Sequence, residues 1–125
     1  MEAYDPQADS WQRVASMPQG RKRHAAAAMG GKIYVTGGHS DGSSVNSAYV
    51  YDPQADAWTQ LASMGNARRA HASAVVGGKL YVFGGLRLGP SDRLSTAEVY
   101  DPASDSWAPV TSLTSARSSF VAVAL

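Results

Sequence analysis

Short apolar runs, each closed by glycine or by an Asp-Pro pair, recur along this chain. HAAAAM (24–29) and HASAVV (71–76) each end in Gly-Gly, and KIYVTGG (32–38) and KLYVFGG (79–85) follow at once, rich in β-branched and aromatic residues. Runs of this length and content, bounded by turn residues, predict β-strands. The linking Gly30-Gly31 and Gly77-Gly78 predict tight hairpin turns, because glycine reaches positive φ without a Cβ clash. SAYVYDP (47–53) and TAEVYDP (96–102) predict a third strand. Behind it, DPQAD and DPASD place Asp and Pro where a type I turn favours them. WTQLASM (58–64) and WAPVTSL (107–113) predict a fourth strand, and Pro109, which cannot donate to a ladder, makes it the outer edge. No stretch has the spacing of an amphipathic helix.

The same pattern is written more than once. Tyr4-Asp5-Pro6 returns as Tyr51-Asp52-Pro53 and Tyr100-Asp101-Pro102, and Trp11 returns as Trp58 and Trp107. Arg21, Arg68 and Arg117 keep the same step, and so do His24 and His71, whose third counterpart is Phe120. A sheet of four short strands cannot bury both of its apolar faces alone, so such units stack. With the double glycine, the Tyr-Asp-Pro, the later Trp and the Arg-x-x-His in one unit of about 50 residues, the sequence resembles the kelch family over essentially its whole length. The resemblance implies an all-β fold of kelch-type β-propeller blades, four-stranded antiparallel sheets with the first strand innermost around a channel. The alanines at 25–28 suit that crowded position.

Composition narrows the function classes. With 44% apolar and 17% charged residues the 125-residue chain fits a globular class. No window is apolar enough for a membrane helix, and no basic-then-apolar leader precedes the first motif. No membrane partner is expected. The absence of cysteine suits a reducing compartment, which points to the cytoplasm.

Candidate catalytic chemistry is sparse. No GxSxG, GxGxxG or GK[ST] occurs, so neither a nucleophile elbow nor a phosphate loop is supported. The tryptophans read as packing between blades, the histidines as structural, and the YDP aspartates as turn formers. Among kelch-like propellers some are enzymes, but the copper radical oxidases among them depend on a cysteine-modified tyrosine that this chain lacks. For chemistry like that of a sialic acid epimerase, His39, Asp41 and Arg87 lie in loops with nothing pairing them. The expectation is a non-enzyme without cofactor or metal.

The loops carry more. In an antiparallel unit the Gly-Gly and DPxxD turns share one face, and the longer segments 18–23, 39–45, 65–69, 86–94 and 114–117 share the other. Long loops on a rigid scaffold are where binding resides. Arg21, Lys22, Arg23, Arg68, Arg69, Arg87, Arg93 and Arg117 fall in these segments, opposed by Asp41 and Asp92. These eight cations, with His39, form the candidate ligand-binding set, suited to an acidic peptide or protein. In kelch substrate adaptors this face, including arginines at the start of the repeat, receives short acidic motifs. Arg21, Arg68 and Arg117 equally fit a second role, bracing the blades. Nucleic acid is not expected, because the basic loops hold no aromatic residue for stacking.

The units also set the domain plan. Residues 2–17 supply the third and fourth strands of one split blade, 24–64 and 71–113 are whole blades, and 119–125 is the first strand of another split blade. Eleven strands cannot close a propeller of four to eight blades. Either the chain is a fragment of a longer or engineered kelch protein, or copies assemble. Two copies come nearest to six blades, each split blade lacking its second strand, so a homodimer is expected. A purely architectural fragment without ligand and a sugar-processing enzyme are the alternatives to a self-assembling interaction module.

Overall fold

The computed structural model describes residues 1–124. Among them the elements are β1 (Glu2–Asp5), β2 (Ser10–Arg13), β3 (Ala25–Met29), β4 (Lys32–Thr36), β5 (His39–Ser40), β6 (Ser43–Ser44), β7 (Ala48–Asp52), β8 (Ala57–Leu61), β9 (Ala72–Val76), β10 (Lys79–Phe83), β11 (Ala97–Asp101) and β12 (Ser106–Val110). None of the described residues is helical, so none forms a helix long and apolar enough to cross a membrane.

Two four-stranded antiparallel sheets carry the expected order, β3-β4-β7-β8 and β9-β10-β11-β12. In both, the strand begun by Ala57 or Ser106 is the outer edge, as Pro109 requires. Met29 pairs with Lys32 and Val76 with Lys79, so each first hairpin turns on two glycines. Their φ values of 58° and 75°, and 58° and 74°, are those of a turn that only glycine adopts without strain. The inner strands β3 and β9 lie side by side, and the core sits between the sheets. Tyr34 of one blade meets Tyr100 of the next at 6.1 Å between ring centroids, with Leu80 buried beside them. Val50, Leu61, Val75 and Trp107 complete that layer.

β1 and β2 pair as a two-stranded ribbon in front of the first whole blade. Every residue of both strands is exposed, Trp11 to 66%, because no sheet covers their outer face.

Two sequence expectations are corrected. Residues 39–44, read as an open loop, close into the small hairpin β5–β6, with Asp41 and Gly42 at φ 50° and 84° turning it. Residues 119–124, expected as a strand, form none; a strand exists only against a neighbour, and none of the described residues pairs with them in a ladder. Val121 and Val123 stand 91% and 77% exposed. Leu125, the last residue of that expected strand, lies outside the described residues.

Candidate functional site

Each blade junction is closed by the same constellation. Asp9, Asp56 and Asp105 hold left-handed backbones at φ 48°, 50° and 47°, a conformation that Asp tolerates better than most residues. Each accepts a hydrogen bond on its carboxylate from the tyrosine five residues earlier: Tyr4 at 2.6 Å, Tyr51 at 2.7 Å and Tyr100 at 2.8 Å. In Asp56 and Asp105 the remaining capacity of that carboxylate reaches into the preceding blade. Asp56 takes the Ala15 amide at 2.8 Å while Trp58 Nε1 donates to the Ala15 carbonyl at 2.9 Å. Asp105 and Trp107 grip Ala62 in the same way at 3.0 and 2.8 Å. Aspartate and tryptophan thus clamp both polar groups of a single residue at the edge of the neighbouring sheet. The Ala15 amide, then the Tyr51 hydroxyl, hold the Asp56 carboxyl below its usual range; Ala62 and Tyr100 do the same to Asp105. The Asp56 carboxylate in turn pushes Tyr51 up to about 12.

At the loop end the repeated arginines brace the junctions. Arg68 Nη1 donates to the carbonyls of Gly84 (2.8 Å) and Thr96 (3.0 Å), and Nη2 to Thr96 Oγ1 (3.3 Å) and Glu98 (2.8 Å). Glu98 also accepts the amides of Gly65 and Asn66. Arg21 repeats the reach one blade earlier, to the carbonyls of Gly37 and Ser47, with its guanidinium 5.0 Å from the Tyr49 ring centre. The second glycine pair of each unit makes room for the chain behind the arginine. A Cβ on Gly37 would collide with the Arg68 carbonyl, and Gly38 donates to that same oxygen at 2.8 Å.

His71 lies buried between the two whole blades, its Nε2 2.9 Å from Thr36 Oγ1. Burial, with Arg68 and His24 nearby, pulls its pKa down to about 3, so the ring is neutral. Its packing is that of a structural histidine.

The candidate cations therefore divide. Arg68 is corrected out of the ligand set: it is 0% exposed, and its terminal nitrogens are committed to Gly84, Thr96 and Glu98. Arg69 is also buried and donates to Ser44 Oγ at 2.7 Å, tying the β5–β6 hairpin to the next blade. Arg21 is half-buried in its brace. Arg87 is exposed but paired with Asp92 at 3.2 Å. Lys22, Arg23, Arg93 and Arg117 remain exposed, with no carboxylate pairing them among the described residues. Backbone bridges join their loops into one surface. Lys22 exchanges hydrogen bonds with the half-buried His39, and Leu86 bridges both Arg69 and Arg93. At the opposite end Lys32 meets Asp52 at 3.7 Å and Lys79 meets Asp101 at 3.9 Å, so the tight-turn aspartates are partly neutralised.

The Asp-Trp clamp and Glu98 were not singled out from the sequence. A signal was present: Asp and Trp two apart recur in all three units, always after Tyr-Asp-Pro. Glu98 had a weaker one, since Glu2 occupies the matching position of the first unit but Tyr49 that of the second.

The arrangement agrees with known proteins. The solved structure of YjhT superposes with a TM-score of 0.75 at 21% identity, over 84% of this chain, which spans 41% of the length of that one. No curated protein sequence matches the chain. The KLHDC2/KLHL20/DRC7 Kelch-repeats domain matches residues 1–125 throughout. With its stacked blades, double-glycine turns and bracing arginines, the chain belongs to this family of kelch repeats.

Proposed function

We propose that this chain is a non-catalytic protein-interaction module whose loop face receives acidic peptide or protein segments. Kelch-repeat domains generally serve protein interaction. The observation that carries the finer reading is the set of exposed, unpaired cations Lys22, Arg23, Arg93 and Arg117 on loops joined by backbone bridges, with Arg87 and His39 between them. Arginine pairs bidentately with carboxylates, and loops held by a rigid scaffold lose little freedom on binding. Nucleic acid fits less well, because the aromatic rings are packed within the sheets rather than on this surface. A cytoplasmic setting belongs to the same reading, since a chain without cysteine needs no oxidising compartment.

The test is fluorescence anisotropy with a labelled peptide rich in Asp and Glu against the same peptide carrying Asn and Gln. The acidic peptide is expected to bind more tightly, and its affinity to fall between 50 and 500 mM salt, roughly as the screening length shortens. Equal affinity for the two peptides would overturn the reading. The architectural alternative rests on one specific observation, that Arg21, Arg68 and Arg69 are committed to bonds within the protein.

A further inference from the structure

The bracing arginines of the two junctions end on different partners. Arg21 lies against the ring of Tyr49 on β7, whereas Arg68 pairs with Glu98, which holds the matching position on β11. A carboxylate takes less room than a phenol ring. Beside Glu98 a cleft of about 540 Å³ opens between residues 62–66 and the strands β11 and β12. The two whole blades and the segment joining them supply all of its walls.

The walls are apolar and the deepest group is charged. Ala62, Trp107, Pro109 and Val110 line the sides, Ser63 and Ser112 stand exposed at the mouth, and Glu98 is buried. A carboxylate offers about four acceptor sites, two on each oxygen. Glu98 uses them unequally. Oε2 takes Arg68 Nη2 at 2.8 Å and the Asn66 amide at 3.2 Å, whereas Oε1 takes the Gly65 amide alone among the described residues, at 2.6 Å. Gly65 is not held at positive φ, so its backbone does not call for glycine; a Cβ there would stand 2.8 Å from Oε1 and cover it.

Charge points the same way. Asp105 also lines the cleft, with Oδ1 committed to the Ala62 amide and the Tyr100 hydroxyl and Oδ2 bonded to none of the described residues. No Lys, Arg or His is among the described residues lining it. Even with Arg68 counted against Glu98, one negative charge stands in excess around the cleft.

We propose that this cleft is a binding site for a lysine side chain presented by a partner protein. The ammonium donates to Glu98 Oε1, and the aliphatic stem lies along Trp107, Pro109 and Val110. The indole face adds attraction for the cation. Lysine suits the site better than arginine, because one open acceptor meets a point charge, while a planar guanidinium looks for two acceptors in parallel. The inference is independent of the acidic-peptide reading: it takes a ligand of opposite charge and uses none of Lys22, Arg23, Arg93 and Arg117.

Nuclear magnetic resonance of the nitrogen-15-labelled full chain tests it, with the end-blocked peptide Gly-Lys-Gly as probe. The amide resonances of Gly65 and Asn66 and the indole resonance of Trp107 are expected to shift together, with a Kd of about 1 mM. The same peptide with norleucine keeps the stem and loses the charge, and should bind about tenfold more weakly. Arginine in that place should also bind more weakly than lysine. Ser63→Trp and Ser112→Trp plug the mouth from exposed positions, so both should fold as the parent does and lose the response. Glu98→Gln keeps the shape of the cleft and should weaken the lysine peptide about tenfold while leaving the norleucine peptide unchanged; if that variant unfolds, the two serine variants carry the test. Silent resonances at Gly65, Asn66 and Trp107, equal affinity for lysine and norleucine, an arginine peptide that binds as tightly, or a response that survives both plugs would each overturn the inference. No acidic peptide enters the measurement, so failure here leaves the acidic-peptide reading standing, and the reverse.

Discussion

Arg68 and Glu98 meet at 2.8 Å across the junction of the two whole blades, their side chains 0% and 7% exposed. The arginine leaves the segment between the blades and the glutamate sits on β11, so the pair fixes the angle of one sheet against the other. Burial lowers the arginine's pKa while Glu98 opposes the fall, the mark of a charge that depends on its partner. Removing one member strands the other without water.

Arg68→Ala and Glu98→Gln are therefore each expected to cost about 3–5 kcal/mol. Arg68→Met, which keeps much of the side-chain length, should recover little while Glu98 stays charged. Urea denaturation monitored by tryptophan fluorescence measures this. A loss below about 1 kcal/mol, the range of exposed pairs, would show that water reaches the site.

The clamp on Ala62 predicts coupling. Trp107→Phe removes the bond to the carbonyl, and Asp105→Asn keeps a residue tolerant of φ 47° while removing the carboxylate that takes the amide. Each is expected to cost about 1–2 kcal/mol. Because both grip one residue, the double variant should cost less than the sum, by at least about 0.5 kcal/mol in a double-mutant cycle. Strict additivity would mean that the two bonds act independently.

The two glycine pairs of a unit look alike in sequence and differ in environment. Gly31 turns at φ 75° with open space where a Cβ would go, whereas Gly37, at φ 57°, faces the Arg68 carbonyl of the next junction. Gly31→Ala should therefore cost only the left-handed backbone, about 1–2 kcal/mol. Gly37→Ala adds a collision and should cost clearly more in the same thermal melts. Equal losses would place the strain in the backbone alone.

These contrasts show what could be read from the sequence. Strand content, hairpin turns, the outer position of the Pro109 strand and the inner alanines all follow from local chemistry, since each is decided by a residue and its immediate neighbours. The basic loop face was legible only as a tally of cations. Arg68 and Arg93 look equally available in a sequence, yet Arg68 points into the next blade, where Gly84, Thr96 and Glu98 wait 16 to 30 residues away. The segment 119–124 has strand composition but no strand, because none of the described residues pairs with it in a ladder. The β5–β6 hairpin was missed although Asp41-Gly42 is a hairpin turn by composition; its strands are too short to show a pattern.

His71 gives the fold a pH dependence. Its folded pKa, about 3, lies below the ordinary value of 6.5, so the unfolded chain takes up a proton first as the pH falls. Stability from this residue is fully present above about pH 6.5 and is lost progressively toward pH 3, with a total on the order of several kcal/mol. Asp56 and Asp105, also depressed, add a loss of the same sign below about pH 4. His71→Gln retains a donor for Thr36 and removes the titration. Melting temperatures of that variant should fall less between pH 7 and 5 than those of the parent, the remaining fall coming from His24, whose pKa burial also lowers. Parallel profiles would show that another group sets the slope.

The final prediction separates binding from bracing on the loop face. Lys22 and Arg93 are exposed and unpaired, so reversing both to Glu alters the surface charge by four units without disturbing a buried bond. Surface changes of this kind move stability by no more than about 0.5 kcal/mol each. The same reversal should abolish capture of an acidic peptide, because two attractive charges become repulsive ones. Arg68→Glu, by contrast, places two carboxylates together beneath the surface and is expected to unfold the junction before any binding can be measured. Arg87→Glu lies between these cases: it ends the pair with Asp92 and leaves two like charges on one loop, so the local conformation of 86–94 should loosen while the blades persist. Anisotropy titrations and melts run together on the three variants give the comparison. Peptide affinity that survives the Lys22 and Arg93 reversals in a folded protein would move the binding site off this face.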